Sequence, residues 1–222
     1  MSSRCRCPRA NPIRSRSSVT FLLFLAAASI IALSPGPGIL YVAARTVAGG
    51  RGEGLASSLG TAVGGLVHVL AGAIGVSALV MASAEAFTLL KLAGALYLVW
   101  LGLKTMREAR ILLPSDAPSV GNRRAFRDGV LVEALNPKTA TFFLAFLPQF
   151  VDPAGTVWLQ FAALGLISVM LNTAVDVAVV FAASRARGFV LGRPAFVRRL
   201  RTGAGMVIAG LGLSLLLTRR PA

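Results

Sequence analysis

The chain has 222 residues, of which 55% are hydrophobic and only 14% charged, and its mean hydropathy is +0.74. A soluble domain usually carries about a quarter charged residues, so this composition excludes an ordinary water-soluble globule and points to a bilayer as the solvent. The net charge of +15 does not indicate a nucleic-acid partner. The basic residues lie between apolar runs rather than on one face, as cations flanking membrane spans do.

Residues 1–17 form a basic tail with Arg4, Arg6, Arg9, Arg14 and Arg16, expected to be disordered. Cys5 and Cys7 are the only cysteines and His68 the only histidine, so neither a disulfide framework nor a zinc ligand set is available, and no metal or cofactor is implied. The tail and the run Phe21–Leu33 also resemble a signal peptide, with Ala32-Leu33-Ser34 as a small-residue cleavage site. Pro35 just beyond the cut and the continuing apolar run argue against cleavage.

Apolar segments follow at about 18–45, 57–83, 86–106, 126–150, 157–183 and 202–218. Each is close to or above the ~20 residues that a spanning helix needs. The sequence therefore predicts an all-α integral membrane protein of six transmembrane helices. These form one transporter domain over 18–218, with 219–222 as a short tail.

Basic residues in short loops set orientation. The first, third and fifth connections hold 14 of them: Arg45 and Arg51, then Lys104 to Arg127, then Arg185 to Arg201. The opposite side holds eight, the five tail arginines with Lys91, Arg219 and Arg220. The larger set belongs in the cytoplasm, which puts both termini outside. The arginine-rich tail opposes that orientation, unless the gene start is over-long.

Two spans carry an interruption. "IIALSPGPGILYVAA" is cut at Ser34-Pro35-Gly36-Pro37-Gly38, and "LVEALNPKTATFFLAF" at Asn136-Pro137. Ser34-Pro35 and Asn136-Pro137 each pair an N-capping residue with proline at a first helical position, so each break reads as a second half-helix starting inside the membrane. Pro35 and Pro137 are 102 residues apart, and each opens a set of three apolar segments. Three is odd, so the second set enters from the other side. The expected architecture is two inverted three-helix repeats, 18–106 and 126–218, with helices 1 and 4 broken around a midplane site. Broken helices are tolerated in a membrane where protein or a wet cavity satisfies the freed backbone groups. Half-helix N-termini present free N–H groups and partial positive charge, which suits a substrate carboxylate.

A charge at the bilayer centre costs about 2.5–3.5 kcal/mol on insertion scales and marks a functional candidate. Asp176, deep in the fifth segment, is the candidate for a substrate ammonium or a coupling proton, or else holds a neighbouring helix by a hydrogen bond. Asn172 lies one turn before it on the same face. Glu133 and Lys138 flank the second break and serve either as a site or as a structural pair that closes the break. His68 is a candidate proton relay, or a histidine bonded inside the bundle. Glu85 and Lys91 sit near a membrane edge and can snorkel. Gly60, Gly64 and His68 repeat every four residues, a spacing that favours close helix packing.

The stretches "LSPGPGILYVAARTVAGGRGEGLASSLGTAVGGLVH", "KLAGALYLVWLGLKTM" and "LVEALNPKTATFFLAFLPQFVDP" together resemble the LysE/RhtB family of amino-acid exporters, in the right order from about residue 19 to 218. The resemblance implies a multi-pass protein of the bacterial cytoplasmic membrane that exports amino acids or close derivatives. Family substrates include lysine, arginine, threonine, homoserine, homoserine lactone, and branched or sulfur-containing amino acids. It also implies drive from the proton gradient or membrane potential, and often a homodimer. The family's motif residues correspond to Pro35, Gly36 and Pro37 and to Asn136, Pro137 and Lys138. The sequence departs at Gly38, where Asp or Asn is frequent, and at Glu133, where Asn is common.

Four other functions compete. A membrane thiol–disulfide carrier needs cysteines within the spans, and there are none. An aspartyl intramembrane protease needs two membrane aspartates, and only Asp176 qualifies. A serine type would rely on Ser77 and His68, which are separated by about 13 Å of helical rise. A membrane scaffold does not account for paired breaks. An inorganic-cation exporter, with Glu133 and Asp176 as in-membrane carboxylates, is the main alternative. The expectation is a secondary transporter, not an enzyme. Its site would comprise Ser34, Pro35, Gly36, Pro37, Asn136, Pro137, Lys138, Asn172 and Asp176, with Asp176, Glu133 and His68 as proton-coupling candidates.

Overall fold

A computed structural model describes residues 12–82, 84–107, 119–185 and 194–217. Residues 1–11, most of the expected disordered tail with Cys5 and Cys7, lie outside the described residues, as do the tail 218–222 and the side chains of Ser77, Glu85 and Lys91. Among the described residues the fold is all helical. Seven α-helices are labelled here: α1 Pro12–Leu33, α2 Pro37–Ala82, α3 Ala84–Arg107, α4 Asn122–Ala134, α5 Pro137–Thr141, α6 Val157–Arg185 and α7 Pro194–Leu217. A π-helical turn over Phe142–Phe146 and a 3₁₀ turn over Leu147–Phe150 extend α5.

Several boundaries differ from the sequence expectation. α1 begins at Pro12, within the tail. The connection expected near 46–56 is not a loop. The helix instead turns at Gly50, whose φ of 78° and ψ of −168° belong to a region open to glycine. The second half of the first apolar segment and the whole of the second are thus joined as α2. By length and apolarity, Pro37–Gly75 and Val157–Arg185 can each cross a membrane; α4 with Pro137–Phe150, bent by 41°, makes a third span when counted as one. Val19–Leu33 and Leu92–Lys104 are shorter apolar helices.

Glycines set how closely the helices approach. On α2, Gly60 lies against the Phe126 carbonyl and Gly64 against that of Val130, while Gly129 on α4 meets the Ser57 carbonyl. A side chain at any of these positions would collide with backbone, so α2 and α4 are in direct main-chain contact, as the four-residue glycine spacing predicts. α3 and α7 pack in the same way through Gly102, Gly205 and Gly212. α2 and α6 meet at Gly65, Gly72 and Gly165, which receive Val169, Phe161 and Val69 respectively.

The core is aromatic and lies beside the second break. Phe24, Phe142, Phe143, Phe146 and Phe161 are all buried there, with Phe24 edge-on to Phe150 at 5.5 Å and Phe142 stacked on Phe146 at 5.7 Å. The outer surface is also apolar: Leu22, Leu70, Ile74, Leu135 and Met170 are each more than 60% exposed. Large aliphatic side chains on the outside, with Glu53, Glu133, Lys138 and Asp176 inside, are the arrangement a lipid-facing protein requires.

Candidate functional site

The two breaks meet. α1 ends at Leu33, and the Ser34 N–H still bonds to the carbonyls of Ile30 and Ile31. The next helix starts at Pro37, with the Gly36 carbonyl accepting from the Leu40 N–H at 3.0 Å. This corrects the expected Ser34-Pro35 cap: Pro37 takes the first helical position and Gly36 the cap. Ser34 instead closes α1. The cap must be small there, because the Lys138 chain runs 3.1–3.2 Å from where a Gly36 side chain would begin. The second break follows the expectation. Asn136 is the N-cap, its Oδ1 accepting from the Lys138 N–H at 3.1 Å, and Pro137 opens α5.

Lys138 and Glu133 do not close on each other. The Lys138 Nζ donates to the carbonyl oxygens of Ile31 (3.1 Å) and Ser34 (2.8 Å), so a cation from the second break sits on the unsatisfied C-terminal end of α1, where the helix is electronegative. Glu133 takes the other end of the same break. Its Oε2 lies 2.5 Å from the Gly38 side-chain position, at the start of the helix that Pro37 opens. Its Oε2 accepts from Asn136 Nδ2 (2.9 Å) and its Oε1 from Thr139 Oγ1 (2.6 Å). His68, reaching across from α2, bonds through Nε2 to the Glu133 carbonyl at 2.8 Å, at the end of α4. Lys138 thus satisfies the C-terminal end of α1, while Asn136 and Thr139 hold the Glu133 carboxylate beside the start of α2. Any side chain at position 38 would meet the Glu133 carboxylate, which accounts for Gly38 beside an acidic residue 133.

Beside this junction lies a small, partly open cavity. Glu133, Thr139, Asn172, Ser168 and Thr61 supply its polar wall; Ile31, Phe142 and Phe143 contribute to its apolar one. Asn172 therefore faces the cavity as expected. Asp176 is fully buried one turn further along α6, behind Thr61, whose hydroxyl is 2.8 Å from Asp176 Oδ2 and 2.8 Å from the Ser58 carbonyl. A hydroxyl has a single proton, so Thr61 cannot donate to both at once. A proton on Asp176 Oδ2 would donate to Thr61 and release its hydroxyl to Ser58. Among the described residues, Asp176 Oδ1 has no hydrogen-bond partner. The structure accordingly divides the expected residues. Ser34, Gly36, Pro37, Asn136, Pro137, Lys138 and His68 make up the junction, Asn172 and Glu133 face the cavity, and Asp176 stands behind it.

Sequence reasoning missed Thr61, Thr139 and Ser168, whose hydroxyls give no signal in an apolar helix. It also missed Glu53. This residue is 2% exposed, and its Oε1 accepts from the Ser119 hydroxyl (2.5 Å) and the N–H groups of Val120 (2.8 Å) and Gly121 (2.7 Å). It binds the turn of α2 to the start of α4. Gly49 leaves room for its carboxylate, and Arg45 lies 3.7 Å away. A lone glutamate in "GGRGEGL" between two apolar runs was the available signal.

The family model for the LysE type translocator matches residues 29–219, which includes both breaks, all the cavity lining but Ala28, and every described helix after α1. The chain belongs to the LysE type translocators. It is 32% identical over 200 residues to an uncharacterized membrane protein of Vibrio cholerae, covering 88% of this chain and 95% of that one. It is 28% identical over 190 residues to a homoserine/homoserine lactone efflux protein of Salmonella typhimurium, covering 85% and 92%. A membrane protein of Pseudomonas aeruginosa is 29% identical over 202 residues. No solved structure matches the chain. This translocator is thus a membrane protein of a transport family, and Glu133, Lys138 and Asp176 are buried at or beside the place where its two breaks meet.

Proposed function

We propose that this translocator is a secondary exporter of amino acids or close derivatives, among them lysine, arginine, threonine, homoserine and homoserine lactone, across the bacterial cytoplasmic membrane. The observation that carries the proposal is the junction itself: two interrupted helices, bridged by Lys138, with Glu133 and Asn136 bonded at the second break, beside a small cavity with a carboxylate in its wall. Family membership and the efflux proteins among its relatives supply the direction.

In this mechanism six spans form two inverted three-helix repeats, and alternating access rocks them about the junction. Cargo occupies the cavity, with Glu133 and Asn172 as its polar contacts. Asp176 carries the coupling proton, since its bond to Thr61 can be made with the proton on either partner. The substrate carboxylate does not sit between the two half-helix ends: one end already holds Glu133, and at the other the first N–H is taken by Asn136. Drive comes from the proton gradient or membrane potential.

Dipeptide-fed efflux tests the proposal. Cells stripped of their own exporters express the protein, and the pools of the twenty amino acids, homoserine and its lactone are followed on both sides of the membrane. Faster outflow of one chemical group is expected, lost in Asp176→Asn at unchanged membrane abundance. Unchanged pools would remove the amino-compound reading in favour of an inorganic cation. Transport unaltered in Asp176→Asn would remove Asp176 from the mechanism.

A further inference from the structure

Between α2 and α6 lies a group of oxygen atoms that the hydrogen bonds of the bundle leave partly unused. Hydroxyls inside these two helices mostly donate to the carbonyl one turn back: Thr46 to Val42, Ser57 to Glu53, Ser168 to Leu164 and Thr173 to Val169, all at 2.7–3.0 Å. Ser58 does not. Among the described residues neither Ser58 Oγ nor Asp176 Oδ1 has a hydrogen-bond partner, although the two residues are 1% and 0% exposed. Both residues flank Thr61, whose Oγ1 is 2.8 Å from the Ser58 carbonyl and 2.8 Å from Asp176 Oδ2. Ser58 and Thr61 share one face of α2. Three residues thus bring together two oxygens from Ser58, one from Thr61 and two from Asp176.

A proton answers part of this arrangement. On Asp176 Oδ2 it donates to Thr61, and Thr61 then donates to the Ser58 carbonyl. Asp176 Oδ1 and Ser58 Oγ gain nothing from it, and a buried polar atom without a partner is costly. A cation answers all of it. It compensates a buried carboxylate whose one hydrogen-bond partner among the described residues is Thr61, and it takes the lone pairs of both unused oxygens. The donor set is one carboxylate with hydroxyl and carbonyl oxygens, without the nitrogen or sulfur that zinc and copper favour. Calcium collects about six to eight oxygens, commonly from several carboxylates, whereas a single carboxylate balances one positive charge. One turn before Ser58, Val180 of α6 comes within 3.0 Å of the Gly54 side-chain position. The two helices therefore leave little width, which suits a small ion.

We propose that Ser58, Thr61 and Asp176 form a binding site for a small monovalent cation, sodium, which competes with the proton for Asp176. The site goes beyond the exporter reading and does not depend on the identity of the cargo. It gives a sodium gradient a hold on the same carboxylate that the proton uses. The charged and titratable groups that face it are Glu133 from α4 and Lys138 from α5, which act on Asp176 from a distance, with Glu53 and His68 on α2. Each of the four is bonded elsewhere.

The test needs no cargo. The purified full chain in a mild detergent is melted in sodium, potassium or choline chloride at one ionic strength. Sodium is expected to raise the melting midpoint by about 5–10 °C at roughly a hundredfold excess over its dissociation constant, and potassium by less. The half-effect sodium concentration should rise as the pH falls from about 8 to about 6, toward a limit of about tenfold per unit, because a proton must leave for each ion bound. Ser58→Ala strands no partner and should raise that concentration about tenfold or more, while Asp176→Asn should abolish the response. A midpoint no higher in sodium than in potassium, or a sodium response unchanged in Ser58→Ala, would overturn the site and leave these oxygens to water. A sodium response that ignores pH would overturn the competition. Should Asp176→Asn not fold, Ser58→Ala decides. Dipeptide-fed efflux judges the exporter reading separately, so the failure of one is distinguishable from the failure of the other.

Discussion

Replacing Lys138 by methionine isolates the cross-break contact, because methionine keeps most of the buried volume and loses the ammonium. Two hydrogen bonds from Nζ vanish, and the carbonyls of Ile31 and Ser34 return to the state of an uncapped helix end inside the protein. The carboxylates of Glu133 and Asp176 lose the one cation among them. Removing one partner from a buried ionic arrangement costs about 3–5 kcal/mol. In a domain of this size each kcal/mol moves the melting midpoint by about 2–4 °C, so Lys138→Met should melt roughly 6–20 °C below wild type by these same conversions. The assay is thermal unfolding in a mild detergent, followed by intrinsic fluorescence. Combining Lys138→Met with Glu133→Gln removes one charge of each sign, so the pair should be less destabilised than the sum of the two single variants. A midpoint within about 2 °C of wild type, under one kcal/mol by that conversion, or strictly additive losses, would refute the cross-break assignment.

Gly64→Leu drives a side chain into the Val130 carbonyl and should cost at least the ~1–3 kcal/mol of an overpacked core, read as a lowered melting midpoint. Glu53→Ala strands the Val120 and Gly121 N–H groups and should raise protease cutting near residues 119–121, measured by mass spectrometry of limited digests, while Glu53→Gln should protect better than alanine. Thr61→Val leaves both Asp176 oxygens without a partner; it should lower stability by about 1–3 kcal/mol and slow export, scored by detergent melting and vesicle efflux. Gly38→Asp places a second carboxylate against Glu133, and should abolish folding unless Glu133→Asn accompanies it, as judged by size-exclusion chromatography.

The breaks were legible because proline and glycine act locally. Asn136-Pro137 caps a helix by chain geometry alone, and the structure shows that cap. The first break was read one proline too early. Ser34-Pro35 and Gly36-Pro37 both satisfy the local rule, and the choice between them is made by Lys138, which needs the space at Gly36. The same limit applies to Glu133 and Lys138. Their burial could be expected, but not the partners of Lys138, which are backbone carbonyls 107 and 104 residues away, and a carbonyl has no sequence signature. The glycine stripe on α2 predicted close packing. That His68 on the same stripe would reach the end of α4 depends on how closely the two backbones meet, which is a property of the pair.

Cross-satisfaction of the breaks also sets an order of manufacture. When the ribosome has made the first two apolar helices, the C-terminal carbonyls of α1 already exist, and their cation does not. Lys138 is added more than a hundred residues after Ile31. Until then the membrane holds a half-built protein whose first break is open to whatever donors its surroundings supply, whether water, lipid headgroups or an insertion factor. Chains stopped before residue 138 keep that exposed end permanently. Cellular quality control would therefore have a chemical mark by which to tell the unfinished protein from the finished one.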